Sequence, residues 1–203
     1  MATVNLRPNG DATSVDPDWT LSAGSTIYEL LDEDDTGSPP SDSSHISTTT
    51  EGTIATIEIE DFDNTGVASI DSVQAVVRAN VYERSKSYEF YVSIRNSSST
   101  LWAAESSGTL NSSGAWRTHT FTARTTSTDG GSAWTYHDID SLRMRIHLTD
   151  LTAGGTFRVT YAYFIVTYTA AVGYGNNVLG VASGDISKVN GIATADISKV
   201  NGV

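Results

Sequence analysis

Chemistry in a chain of 203 residues would start with its four histidines, His45, His119, His137 and His147. None has a second ligand at a metal-binding interval such as H-x-x-x-H. The chain contains no cysteine, so thiol nucleophiles, disulfides and thiolate zinc sites are excluded. Serines are abundant, but no G-x-S-x-G elbow, P-loop or dinucleotide fingerprint frames them. Glycoside hydrolysis needs two positioned carboxylates. Acidic clusters stand at Asp32–Asp35 and Glu58–Gly66, yet spacing along a chain does not pair them. The expectation is a protein that is not an enzyme and uses no cofactor.

Three residue sets remain as candidates for binding. Asp61, Asp63 and Gly66 open a D-x-D-x-x-G pattern, but Thr65 and Ser72 stand where an EF-hand needs further oxygen ligands, so at most a looser calcium site is expected. Trp134 and Tyr136 follow “DGGSA”, a loop composition, where a glycan-binding protein would place stacking aromatics; Trp102 and Trp116 are further aromatics of this kind. Such rings also fill cores and interfaces. Arg78, Arg95, Arg143, Arg145 and Arg158 all fall on the polar sides of their segments, which suggests a local basic face in an acidic protein. Either cross-strand acids or an acidic partner would balance it.

The elements that must carry these residues alternate with a period of two. In “SVQAVVRANVY”, Val73, Ala75, Val77, Ala79 and Val81 share a face; in “YEFYVSIR”, Tyr88, Phe90, Val92 and Ile94 do; in “LRMRIHL”, Leu142, Met144, Ile146 and Leu148 oppose Arg143, Arg145 and His147. Strict alternation describes half-buried strands. In “FRVTYAYFIVTY” the pattern puts Phe157, Val159, Tyr161, Tyr163 and Ile165 on one side, leaving Phe164, Val166 and Tyr168 opposite, so both faces of this strand should be covered. Weaker strands are expected at Thr53–Glu60, Thr100–Glu105 and Trp116–Ala123, with an edge strand in “TVNLRP”. Only “STIYELLDEDD” could form a turn or two of helix, with Ser25 as cap. Many short strands separated by Ser, Thr, Gly, Asn and Asp clusters indicate an all-β, antiparallel, jelly-roll-like sandwich over residues 1–169.

A linker at 170–177 then leads to a tail at 178–203, in which DISKVNG occurs twice, eleven residues apart. Asn-Gly between apolar residues signals a tight turn rather than a helical supercoil. Two units cannot bury their own side chains. The tail therefore reads as an assembly element, with Val178, Val181, Ile186, Val189, Ile192, Ile197, Val200 and Val203 as its apolar contacts and Lys188 and Lys199 at equivalent positions.

The formal net charge is −12, which disfavours nucleic-acid and anionic-membrane partners. No apolar run approaches a membrane span, and the N-terminus lacks the apolar core of a signal peptide. “NLRPNGD”, then Trp19, “GSTIYELLDE”, a polar stretch and a closing strand rich in Tyr and Val resemble a family of phage virion structural proteins with jelly-roll or lectin-like sandwiches. The terminal DISKVNG units resemble short repeats at the ends of such proteins. The resemblance implies a virion component, most simply a capsid-surface decoration or cement protein. Its partners would be further copies of itself, as a trimer, and other virion proteins such as the major capsid protein. The alternative is a tail-fibre-associated or host-surface adhesin that binds glycan in the manner of a lectin.

Overall fold

The computed structural model describes residues 1–11, 16–32, 42–83, 85–96, 105–107, 110–112, 114–128, 131–171, 188–189 and 192–193. In chain order its elements are β1 (Ala2–Leu6), β2 (Pro8–Asp11), β3 (Thr20–Leu21), α1 (Ile27–Leu31), β4 (Ile46–Thr48), β5 (Ile54–Ile59), β6 (Val67–Val81), β7 (Lys86–Arg95), β8 (Glu105–Ser106), β9 (Leu110–Ser112), β10 (Arg117–Thr120), α2 (Tyr136–Asp140), β11 (Arg143–Leu151), β12 (Phe157–Ala170), β13 (Lys188–Val189) and β14 (Ile192–Ala193).

The first sheet runs β10-β6-β12-β4-β3, with β1 also paired to β12; the second runs β2-β5-β11-β7-β8, with β9 also on β7. Every pairing between these strands is antiparallel. The fold is an all-β, jelly-roll-like sandwich. Its core lies between the sheets, where Val73, Ala75, Val77, Ala79 and Val81 of β6 face Tyr88, Phe90, Val92 and Ile94 of β7 and Met144, Ile146 and Leu148 of β11. The alternation predicts these inward faces because each residue step along a strand reverses side.

In β12 the reading holds only as far as Val159. The register against β6 shifts between Val159 and Tyr161, so one extra residue, Thr160, is accommodated there as a bulge. Beyond it the faces exchange. Ala162, Phe164 and Val166 enter the core, while Tyr163 and Ile165 turn outward and are half-buried. Tyr161 is buried outside the core, its hydroxyl 2.9 Å from that of Thr118. Thr160 is fully buried and donates its hydroxyl to the Ser44 carbonyl at 2.7 Å.

Two helical turns join the strands. The cap residue of α1 is Thr26 rather than Ser25, and it makes no side-chain capping bond. The free amides of Ile27 and Tyr28 instead donate to the Asp11 carboxylate, at 2.9 and 2.8 Å. An acid from β2 thus does the work of an N-cap. The sequence reading lacks α2, which is closed by a capping box between Thr135 and Asp138.

The last strand of the sandwich reaches Ala170, and the Ala171 amide donates to the Gly66 carbonyl at 2.8 Å. In the tail, β13 and β14 pair antiparallel with Lys188 opposite Ala193 and Val189 opposite Ile192. Such a strand pair is what the Asn-Gly signal predicts on either side of Asn190 and Gly191, which themselves lie outside the described residues. Val178, Val181, Ile186, Ile197, Lys199, Val200 and Val203 lie outside the described residues.

Candidate functional site

The aromatic pair expected to stack on sugar is not at the surface. Trp134 is only 5% exposed and belongs to the core. Its indole N–H donates to the Arg124 carbonyl at 2.7 Å. Tyr136 packs against the core and donates its hydroxyl to the Val67 carbonyl at 2.6 Å. With its ring enclosed and its polar tip used, Trp134 has no free face for a ligand; Tyr136 is half-buried and likewise engaged. The loop-like composition before them is followed by the α2 capping box, which turns both rings inward.

The calcium candidates fare similarly. Asp63 is exposed, and its carboxylate accepts from the Thr65 amide at 2.9 Å. Bonds from the Thr65 hydroxyl and amide hold its carboxyl below the usual range. Asp61 lines a cleft of about 270 Å³ with Asn9, Glu58, Asp140 and Arg143. Two carboxylates there are already engaged, as Asp140 accepts from the Phe62 amide at 3.3 Å and Glu58 pairs with Arg143. No group of three or more possible ligands is gathered among the described residues.

The arginines do not form one basic face. Arg95, Arg143 and Arg145 lie on the outer side of the second sheet, and Arg78 and Arg158 on the outer side of the first. Arg78 forms a two-pronged pair with Asp42, both contacts at 2.8 Å. Arg124 pairs with Glu105 at 2.7 Å. On the second sheet, burial and then the charge of Arg95 lower the Arg145 pKa, and burial and then Arg145 lower that of His147.

Arg158 stands apart from these, at the centre of a cross-strand row. Asn80 of β6 pairs with Arg158 of β12, which pairs with Ser47 of β4 and through it with Thr20 of β3. The Asn80 amide donates to the Gly114 carbonyl at 3.2 Å. Just past β6, Tyr82 is 59% exposed, and the guanidinium carbon of Arg158 lies 4.0 Å from its ring centre. That is a stacked cation–π arrangement. Trp116 precedes β10 and His45 precedes β4, and two strands separate them in the sheet. Their rings nevertheless meet edge to face, 6.0 Å between centres. Neighbouring strands are spaced about 4.8 Å apart, so both side chains must lean over Asn80 and Arg158 to do so.

Enclosed polar atoms lie in the same row. Of the enclosed side-chain polar atoms that lack a hydrogen-bond partner among the described residues, Asn80 Oδ1 and Arg158 Nε belong to this row, while the His45 ring has a hydrogen bond with the Ser43 backbone. Leaving such atoms unpaired costs about 1–3 kcal/mol each, and a fold tolerates that where another requirement competes. Burial and then the charge of Arg158 lower the His45 pKa, so the ring is neutral at pH 7. Tyr82, Asn80, Arg158, His45 and Trp116 thus combine aromatic faces, enclosed polar atoms, and a sheet that fixes their spacing. The sequence signal for the row is the outward parity of Arg78, Asn80 and Tyr82, which places an aromatic ring on an otherwise polar face.

The fold assignment rests on the two sheets themselves. No protein-family model matches the chain, and no curated protein does. Among solved structures, a family 32 carbohydrate-binding module of AlyQ, in complex with 4,5-unsaturated mannuronic acid, aligns at 15% identity with a TM-score of 0.39, covering 74% of this chain and 94% of that one. A family 36 carbohydrate-binding module domain of a multidomain xylanase from the hindgut metagenome of Trinervitermes trinervoides aligns at 7% identity and a TM-score of 0.36, covering 83% of this chain and 98% of that one.

Proposed function

We propose that the chain is a non-catalytic, lectin-like module that binds carbohydrate on the outer face of its first sheet. The observation that carries this is the row of Tyr82, Trp116 and His45 set around the unpaired atoms of Asn80 and Arg158. A sugar ring has an apolar face that packs on an aromatic side chain and a rim of hydroxyls that both donate and accept. Protein sites for such ligands combine aromatic walls with a few fixed polar groups. The test is a glycan array probed with the full-length protein and with Tyr82→Ala and Trp116→Ala. The expected result is a restricted set of hits, each weakened about tenfold or more by either substitution. Hits that survive both substitutions would remove this face from consideration.

A second reading keeps the virion role. The β13–β14 hairpin lies within the terminal repeat, and an ordered strand pair there favours a tail that docks on a neighbour, as a capsid decoration protein or an adhesin would require. Copy number in purified particles separates the two: a decoration protein approaches a simple ratio to the major capsid protein, and an adhesin is present in a few copies.

A further inference from the structure

We infer that the ligand of the first-sheet face carries a carboxylate, making it an acid-bearing sugar such as a uronate; the inference rests on the carbohydrate reading above. Arg158 differs from the arginines that hold an acid. The protein has 24 acidic residues against 12 basic ones, and Arg78, Arg124 and Arg143 each hold a carboxylate. Among the described residues Arg158 forms no ion pair, and its guanidinium carbon lies over the Tyr82 ring. Its Nε is enclosed and unbonded, whereas its two terminal nitrogens are not among the enclosed atoms. The guanidinium carbon therefore sits over an exposed ring, with the terminal nitrogens left accessible. A planar fork of N–H donors presented edge-on is matched by a planar carboxylate, which it can grip through two parallel bonds.

The surroundings point the same way. The nearest titratable group across the row, His45, is held neutral by burial and by Arg158 itself, so no second cation shares the anion. The overall charge of −12 does not prevent the binding of an anion at close range, because charges more than about 8 Å away are screened at physiological salt.

The test uses the full-length protein in affinity electrophoresis and calorimetry against polygalacturonate, alginate and hyaluronan, each beside its methyl-esterified form. Esterification removes the charge and keeps the ring. The expected result is retention by at least one acid polymer, a loss of about tenfold or more on its esterification, and a similar loss for Arg158→Gln on the acid form alone. Arg158→Lys, which keeps the charge without the fork, should recover only part of the affinity. Equal binding of acid and ester, unchanged acid binding by Arg158→Gln, or binding confined to neutral array glycans would overturn the carboxylate inference and leave the carbohydrate reading standing. Absence of binding to every acid polymer and every array glycan would overturn the carbohydrate reading itself.

Discussion

His119 is the residue whose ionisation the fold suppresses most clearly. Its ring enters the core edge beside Phe90, 5.1 Å between centres, and its Nε2 lies 3.1 Å from the Tyr88 hydroxyl. Burial first, and then the Arg117 charge, lower its pKa to about 4; burial raises that of Tyr88 to about 12. The unfolded histidine titrates at 6.5, so between pH 6.5 and pH 4 the unfolded chain binds a proton that the folded one refuses. Stability is therefore full above pH 6.5 and is lost as pH falls, levelling out below pH 4. Two and a half units of linkage amount to about 3 kcal/mol at full weight, and the ring's partial exposure roughly halves that. Urea melts at pH 7 and pH 4.5 should show the loss in the parent protein and a smaller one in His119→Gln. An equal loss in both would detach the acid sensitivity from this ring. Trp134 makes the complementary point. As an enclosed core residue, its replacement by Ala should cost about 3–5 kcal/mol in the same melts. Tyr82→Ala, on an exposed ring, should cost well under about 1 kcal/mol. A reversal of that order would return Trp134 to the surface.

At the level of elements, two local events shape the site. The bulge at Thr160 reverses the faces of β12, so that Tyr161 is buried on the outer side and Phe164 in the core. Arg158, before the bulge, keeps the parity that places it opposite Asn80. The other event is the capping of α1 by Asp11. That contact ties the end of β2 to a helix whose Ile27, Leu30 and Leu31 are buried. Replacing Asp11 by Ala removes the acceptor for two amides and should destabilise the domain by about 1–2 kcal/mol, read as a lower urea midpoint with an unchanged slope. A wild-type midpoint would mean that water serves those amides as well.

At the level of the whole molecule, the sandwich and the tail are separable in their pairings. The last strand of the sandwich ends at Ala170, and among the described residues β13 pairs only with β14. Truncation after Gly175 should therefore leave a domain whose melting temperature moves by no more than about 2 °C. Sedimentation of the two forms then tests the tail: if the repeat drives assembly, the truncated protein becomes smaller in mass by more than the residues removed. Unchanged association would make the repeat dispensable for self-assembly.

Periodicity alone determined the fold class, because a strand facing a core must alternate, and β6, β7 and β11 carry their apolar residues without interruption. The Asn-Gly signal also anticipates the antiparallel pairing of β13 with β14, a purely local preference of the backbone. Periodicity misplaced the second half of β12, since a bulge adds a residue without any composition that marks it. Trp134 and Tyr136 stand in a loop-like neighbourhood of the sequence, and only the packing around α2 decides that they face inward. Tyr82, Asn80, Arg158, His45 and Trp116 lie on four separate segments, spread from residue 45 to residue 158. Antiparallel registers over long separations bring them into one row, and no short-range pattern in a chain encodes which strands become neighbours.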